Sequence, residues 1–149
     1  MQLGGRNSWL VSALVLMFAI TSCMSAAAGC EPKASRDLSS STDAVTFHLW
    51  VSNQSFDIDP VDIAVFIDDR QVVCDSFDVE GQHNWILFDV ALDPGTHTLR
   101  ALGHDGQTEL TETIDVSEER WAVLEFWFYP EEEPERFTFS IHDRPVGFD

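Results

Sequence analysis

Alternating apolar and polar positions run through most of the chain after residue 44. The segment 45–51, VTFHLWV, places apolar side chains at every second position, which is the period of a half-buried strand. Further segments that predict strands are 61–68, 71–79, 84–92, 96–103, 107–116 and 136–143. The segment 121–130, WAVLEFWFYP, is apolar on both faces and predicts a central strand that is covered on both sides and ends at Pro130.

Short groups of turn-forming residues separate the predicted strands. They include Asp68-Asp69-Arg70, Asp93-Pro94-Gly95, His104-Asp105-Gly106 and the acidic stretch 131–135. No segment after the N-terminal region has a helical period. The pattern therefore predicts an all-β domain, an antiparallel immunoglobulin-like β-sandwich of about 7–8 strands, with a small closed barrel as the alternative.

Two longer stretches, each of which spans predicted strands and a turn, share a pattern with a known module. VDIAVFIDDRQVV at 61–73 and LDPGTHTLRALGHDGQTELTETIDV at 92–116 resemble PEGA and related immunoglobulin-like modules of bacterial surface proteins. In that family an xVxVDG hairpin precedes an LxPGxHxVxA turn. The resemblance covers roughly forty residues and implies the fold rather than a function. The hairpin turn here lacks the family's glycine, and the segment 135–149 has no counterpart in the short module.

The N-terminal region has a different pattern, with an apolar run at 9–20, WLVSALVLMFAI. Arg6 is the only charged residue before Glu31, so a short basic head precedes the run, as in a secretory signal peptide. The run alone is too short for a bilayer core, which takes about 20 helical residues to cross. Extending it through residue 29 reaches that length, so an uncleaved membrane anchor is the alternative.

The run ends in Ile20-Thr21-Ser22-Cys23, an aliphatic residue, two small residues and a cysteine. This pattern resembles the lipobox of bacterial lipoproteins. The resemblance implies that diacylglycerol is attached to the Cys23 thiol and that the chain is cut just before it. Ala27-Ala28-Gly29-Cys30 fits a looser form of the pattern, so Cys30 is the alternative lipid attachment site.

These features divide the chain into three parts. Residues 1–22 are the predicted signal peptide, and residues 23–43 are the lipidated cysteine with a flexible linker. The linker segment 31–43, EPKASRDLSSSTD, has few apolar residues, as tethers do. Residues 44–149 are the β-sandwich domain. We expect a membrane-anchored, extracytoplasmic protein at the cell surface or in the periplasm, because two or three acyl chains hold a protein stably.

Charge and cysteine content narrow the possible partners. The formal net charge is −18, from 26 acidic and 8 basic residues, so nucleic acid is not expected as a partner. Three cysteines cannot all pair within the chain. A buried thiol in a strand is the favoured interpretation of Cys74, and a disulfide between Cys30 and Cys74 is the alternative.

No catalytic motif accompanies this domain, and we expect neither enzymatic activity nor a cofactor. The sequence contains no G-x-S-x-G, H-E-x-x-H or C-x-x-C, and its histidines have no local metal-ligand spacing. The loop segment 53–62 holds Asp57, Asp59 and Asp62, whose oxygens are of the kind that calcium prefers. It lacks the glycine and the closing glutamate of an EF-hand. A solvated loop is therefore favoured, with calcium as the alternative.

The aromatic content raises a second binding hypothesis. The chain has eleven Phe and five Trp, and sugar rings stack on exposed indoles. A sandwich also has to fill a core about 10 Å thick, which favours core packing of these rings, including Trp85 and Trp121 at strand starts. The function expected is a lipid-anchored lipoprotein with a non-catalytic binding or structural role toward an unknown envelope protein or glycan. The alternative is a carbohydrate- or calcium-binding surface module.

Overall fold

The computed structural model describes residues 42–55, 57–79, 84–131 and 133–148. The predicted signal peptide, Cys23, Cys30 and nearly all of the linker lie outside these residues. The described part contains eight strands: β1 (Val45–Asn53), β2 (Val61–Ile67), β3 (Arg70–Phe77), β4 (Ile86–Leu92), β5 (Gly95–Gly103), β6 (Thr108–Val116), β7 (Arg120–Tyr129) and β8 (Glu133–His142).

The strands form two separate four-stranded sheets. One has the order β4-β1-β7-β8 and the other has the order β3-β2-β5-β6. All neighbouring strands are antiparallel except β1 and β7, which are parallel. Buried residues from both sheets belong to one hydrophobic cluster, so the sheets pack face to face. The predicted all-β sandwich is confirmed, whereas its immunoglobulin-like subtype stays a prediction.

The alternating pattern correctly identifies the side chains that fill the core. In β1, Phe47, Leu49 and Val51 are each 0% exposed, and Ile63 and Val65 of β2 have the same value. The core is built from aliphatic side chains and phenylalanines. Strand β7 lies between β1 and β8, as its continuous apolar run predicted.

The last hairpin differs from the prediction. Strand β8 begins at Glu133 rather than Arg136, because Tyr129 at the end of β7 pairs with Glu133. Part of the acidic stretch 131–135 is therefore strand. The pairing of β7 with β8 is irregular between Trp127 and Tyr129, which accommodates the tight connection.

The first hairpin turn explains why the glycine of the PEGA pattern is dispensable. Asp68 and Asp69 both have positive φ, 49° and 63°, the conformation that two-residue hairpin turns require. Asp68 Oδ1 accepts the N–H of Thr98 at 3.0 Å, and its Oδ2 lies 2.6 Å from His97 Nδ1. Burial alone would raise the pKa of Asp68 and lower the pKa of His97. The hydrogen bonds outweigh burial, so the pKa of Asp68 is lowered and that of His97 is raised. Asp68 thus attaches the turn to β5.

Candidate functional site: an aromatic sheet surface

The four tryptophans of the described residues lie outside the core. Trp50 alternates with the buried Leu49 and Val51, so its ring is on the outer surface of the sheet β4-β1-β7-β8. Trp121 and Trp127 alternate with the buried residues of β7 in the same way. The prediction that Trp85 and Trp121 pack in the core is wrong. The core is filled by the alternate residues of the same strands, whose side chains point to the other face of the sheet.

Trp85 reaches this surface from the start of β4. It directly precedes Ile86, which pairs with Val51 of β1. Its indole Nε1 donates to Glu125 Oε1 on β7 at 3.2 Å. Because β1 lies between β4 and β7, the indole crosses over β1 near Ser52, which pairs with Glu125. Ser52 is 0% exposed although it points away from the core, so this surface carries a second layer of side chains.

Glu125 is the polar centre of the surface. Its Oε1 accepts the hydrogen bond from Trp85 Nε1. Its Oε2 accepts hydrogen bonds from Trp127 Nε1 at 3.3 Å and from Thr138 Oγ1 at 3.1 Å. One carboxylate therefore fixes two indoles from different elements. Trp127 also stacks with Tyr129 on the same face of β7, with ring centroids 5.8 Å apart. We call the surface formed by Trp50, Trp85, Trp121, Trp127, Tyr129 and Glu125 the aromatic face.

Residues after β8 reach the aromatic face as well. The Phe148 ring is stacked on Trp85 with centroids 4.2 Å apart and an interplanar angle of 14°. It also meets Trp50 edge-on, with centroids 5.2 Å apart. Val123, on the outer side of β7, is only 8% exposed, which agrees with a covered surface.

His48 and its partners form one end of the aromatic face. The imidazole stacks on Trp121, with centroids 5.1 Å apart and an angle of 12°. Its Nδ1 lies 2.6 Å from Asp89 Oδ1, and its Nε2 lies 2.9 Å from Glu119 Oε1. Burial would lower the pKa of His48, but the hydrogen bonds to Glu119 and Asp89 outweigh it and raise the pKa. This end of the face therefore favours a protonated imidazole between two carboxylates.

The predicted calcium ligands are not gathered into one site. Asp57, Asp59 and Asp62 are exposed, and Asp59 Oδ1 accepts the N–H of Val79 at 3.0 Å. Among the described residues, no group of three or more His, Cys, Asp or Glu side chains is arranged to hold a metal ion. The same loop is instead organised by Asn53, whose side chain is buried and hydrogen-bonded to the backbone.

Cys74 is not the buried free thiol that its strand position suggested. It pairs with Ala64 on the outer side of the sheet β3-β2-β5-β6 and is half-buried there. It is also disulfide-bonded. The other two cysteines of the chain, Cys23 and Cys30, lie outside the described residues, so the pairing of Cys30 with Cys74 stays a prediction.

A groove between β6 and β8 is a second concave surface of the described residues. Its volume is ≈ 540 Å³, and its lining includes Arg120, Phe139 and Ile141. Arg120 is already paired with Glu118 at 2.7 Å. The groove offers Phe139 as its only aromatic wall, whereas several rings and a carboxylate converge on the aromatic face. The aromatic face is therefore the stronger candidate site.

The strand parity of Glu125 is the sequence signal that could have located this site. A charged residue in the apolar run of β7 marks the outer side, and Trp121 and Trp127 share its parity. Trp85 has the same signal, because it alternates with Ile86 and Phe88 in the predicted strand 84–92, whereas Phe148 lies after the last strand and has none.

Comparison with known proteins adds no assignment. No protein family, no curated protein and no solved structure gives a significant match to the chain. The likeness to PEGA modules and to the lipobox therefore remains a prediction. The described residues contain no helix long and apolar enough to cross a membrane.

Proposed function

We propose that the domain is an extracytoplasmic binding module whose aromatic face binds an uncharged glycan. The observation that carries this proposal is the position of the four described tryptophans. All of them lie on one outer sheet surface, and two are oriented by the same carboxylate. Large rings on an outer surface suit a binding site, since they supply contact area at low entropic cost.

The chemistry of the surface favours a sugar over other ligands. A pyranose has a flat C–H face that stacks on an indole and a rim of hydroxyls that bond carboxylates and imidazoles. The carboxylates of Glu125 and Asp89 supply acceptor oxygens for such hydroxyls beside the rings. The net charge of −18 disfavours phosphates, nucleic acids and acidic polysaccharides. A neutral oligosaccharide of β-linked pyranoses, which presents successive flat faces, fits both features.

Titration with defined glycans tests the proposal. We expect chitohexaose or cellohexaose to bind and to shift tryptophan fluorescence, and polygalacturonate not to bind. Trp85→Ala should weaken binding about tenfold or more, because truncation of a central aromatic anchor removes most of its contact area. Phe66→Ala is the matched control, because this half-buried ring lies on the other sheet under Arg100. Calorimetry that detects no binding of either neutral glycan, or equal binding by Trp85→Ala, would contradict the proposal.

We also propose that the domain is held at a membrane by lipid on Cys23. The disulfide at Cys74 supports export, since disulfides persist in oxidising compartments and are rare in the cytosol. The chain has only three cysteines. If Cys30 is the partner of Cys74, Cys23 is left for lipid, in agreement with its lipobox pattern.

Palmitate labelling in cells separates the two candidate attachment sites. Cys23→Ala should abolish labelling and globomycin-sensitive processing, whereas Cys30→Ala should leave both unchanged. Loss of label only in Cys30→Ala would move the anchor to the second cysteine. Equal labelling of both variants and the wild type would argue against a lipid anchor on either cysteine.

A further inference from the structure

Phe148 occupies the outward side of Trp85. The inner side of this indole faces the strands, because Trp85 crosses β1 to donate to Glu125. The Phe148 ring lies parallel to the indole at 4.2 Å, the arrangement that a stacked ligand ring would adopt. Phe148 is itself 38% exposed, so its own outer side faces solvent.

The segment 143–148 crosses the aromatic face to place this ring. It leaves the edge strand β8 after His142, which pairs with Trp121 of β7. It ends against Trp50 of β1, so it passes over β7 on the outer side of the sheet.

The segment has few anchors between these ends. Asp143, Arg144 and Pro145 are exposed, and the ion pair of Arg144 with Asp143, at 3.7 Å, lies within the segment. Val146 is half-buried, so this side chain and the Phe148 ring together provide much of the segment's attachment to the sheet.

We propose that the segment 143–148 is an intramolecular occupant of the glycan site, and that Phe148 holds the stacking position on Trp85 that a sugar ring takes when ligand binds. This inference rests on the proposed function. The segment 143–148 and the glycan are then mutually exclusive occupants of the aromatic face. The apparent affinity for glycan is reduced by the fraction of molecules in which Phe148 covers Trp85.

Removing the Phe148 ring should open the site without removing any ligand contact. We expect Phe148→Ala to bind chitohexaose about three- to tenfold more tightly than the wild type, since one exposed aromatic stack is lost from the free protein. The same variant should increase quenching of tryptophan fluorescence by acrylamide in the absence of ligand. Ile141→Ala is the matched control, because Ile141 is 40% exposed but is not on the aromatic face.

The two readouts separate this inference from the proposed function. Tighter glycan binding together with greater quenching in Phe148→Ala supports the exchange. Equal or weaker binding by Phe148→Ala than by the wild type overturns it, because the ring is then no competitor, while the glycan site itself stands. Unchanged quenching also overturns it. Absence of glycan binding in the wild type and in Phe148→Ala rejects the glycan site and the exchange together. Thermal unfolding of each variant confirms that the differences arise in folded protein.

Discussion

Replacing Asn53 by aspartate is expected to lower the free energy of unfolding by about 3 kcal/mol or more. Asn53 is 1% exposed. Its Nδ2 donates to the carbonyl oxygens of Ile58 at 2.8 Å and Phe77 at 3.1 Å, and its Oδ1 accepts the N–H of Ser55 at 2.9 Å. An aspartate keeps the acceptor but turns a carboxylate oxygen toward two carbonyl oxygens. A buried carboxylate with the Ser55 N–H as its one remaining donor, and with two carbonyl oxygens facing it, is strongly destabilising.

The same variant should be strongly pH-dependent. Only the protonated carboxyl can donate to a carbonyl, so the fold raises the pKa of the new aspartate above its unfolded value of about 3.9. With a raised pKa, the folded state binds more protons than the unfolded state. The free energy of unfolding of this variant therefore falls as the pH rises from the unfolded pKa through the folded pKa. The deficit should therefore be largest at neutral pH and shrink toward pH 4.

Asn84→Asp is the control for the Asn53 prediction. It makes the same chemical change at an exposed position just before β4. Urea unfolding at several pH values should show a loss only for Asn53→Asp. Similar midpoints for the two variants at neutral pH would show that the Asn53 network does not stabilise the loop between β1 and β2.

Removing the Glu125 carboxylate is expected to lower the free energy of unfolding by about 2 kcal/mol and to release two indoles. Glu125→Ala leaves Trp85 Nε1, Trp127 Nε1 and Thr138 Oγ1 without their acceptor. Glu125 is half-buried, so water replaces part of what is lost, and the effect is smaller than for a fully buried group. Glu125→Gln should lower the free energy of unfolding by about half as much, because its one amide oxygen can still accept hydrogen bonds.

Near-ultraviolet circular dichroism distinguishes loss of indole order from a general loss of stability. The tryptophan bands should weaken in Glu125→Ala under conditions where the far-ultraviolet spectrum is unchanged. Glu109→Ala, at an exposed position of β6, should alter neither stability nor the tryptophan bands. Native-like tryptophan bands in Glu125→Ala would mean that packing alone orients Trp85 and Trp127.

The sequence predictions that failed concern which side of a sheet a residue faces in the packed sandwich. The alternation in segment 45–51 places Trp50 on the side opposite Leu49 and Val51, and the structure agrees, since period two is a property of the strand itself. Trp85 and Trp121 were expected in the core because they open predicted strands and large rings fill a sandwich core, but aliphatic side chains and phenylalanines fill it instead. Cys74 was interpreted as a buried thiol, although its neighbour Val73 is the residue that faces the core.

By itself, the sequence determined the all-β class, the positions of nearly all strands and turns, and most of the residues that fill the core. These features follow from local periodicity and turn chemistry, which the backbone geometry of a strand imposes on any sequence. The tertiary structure alone decided that Trp50, Trp85, Glu125 and Phe148 meet. That meeting depends on the strand order β4-β1-β7 and on the parallel pairing of β1 with β7. Contacts between residues so distant in sequence are chosen by packing of the whole domain, which no local pattern encodes.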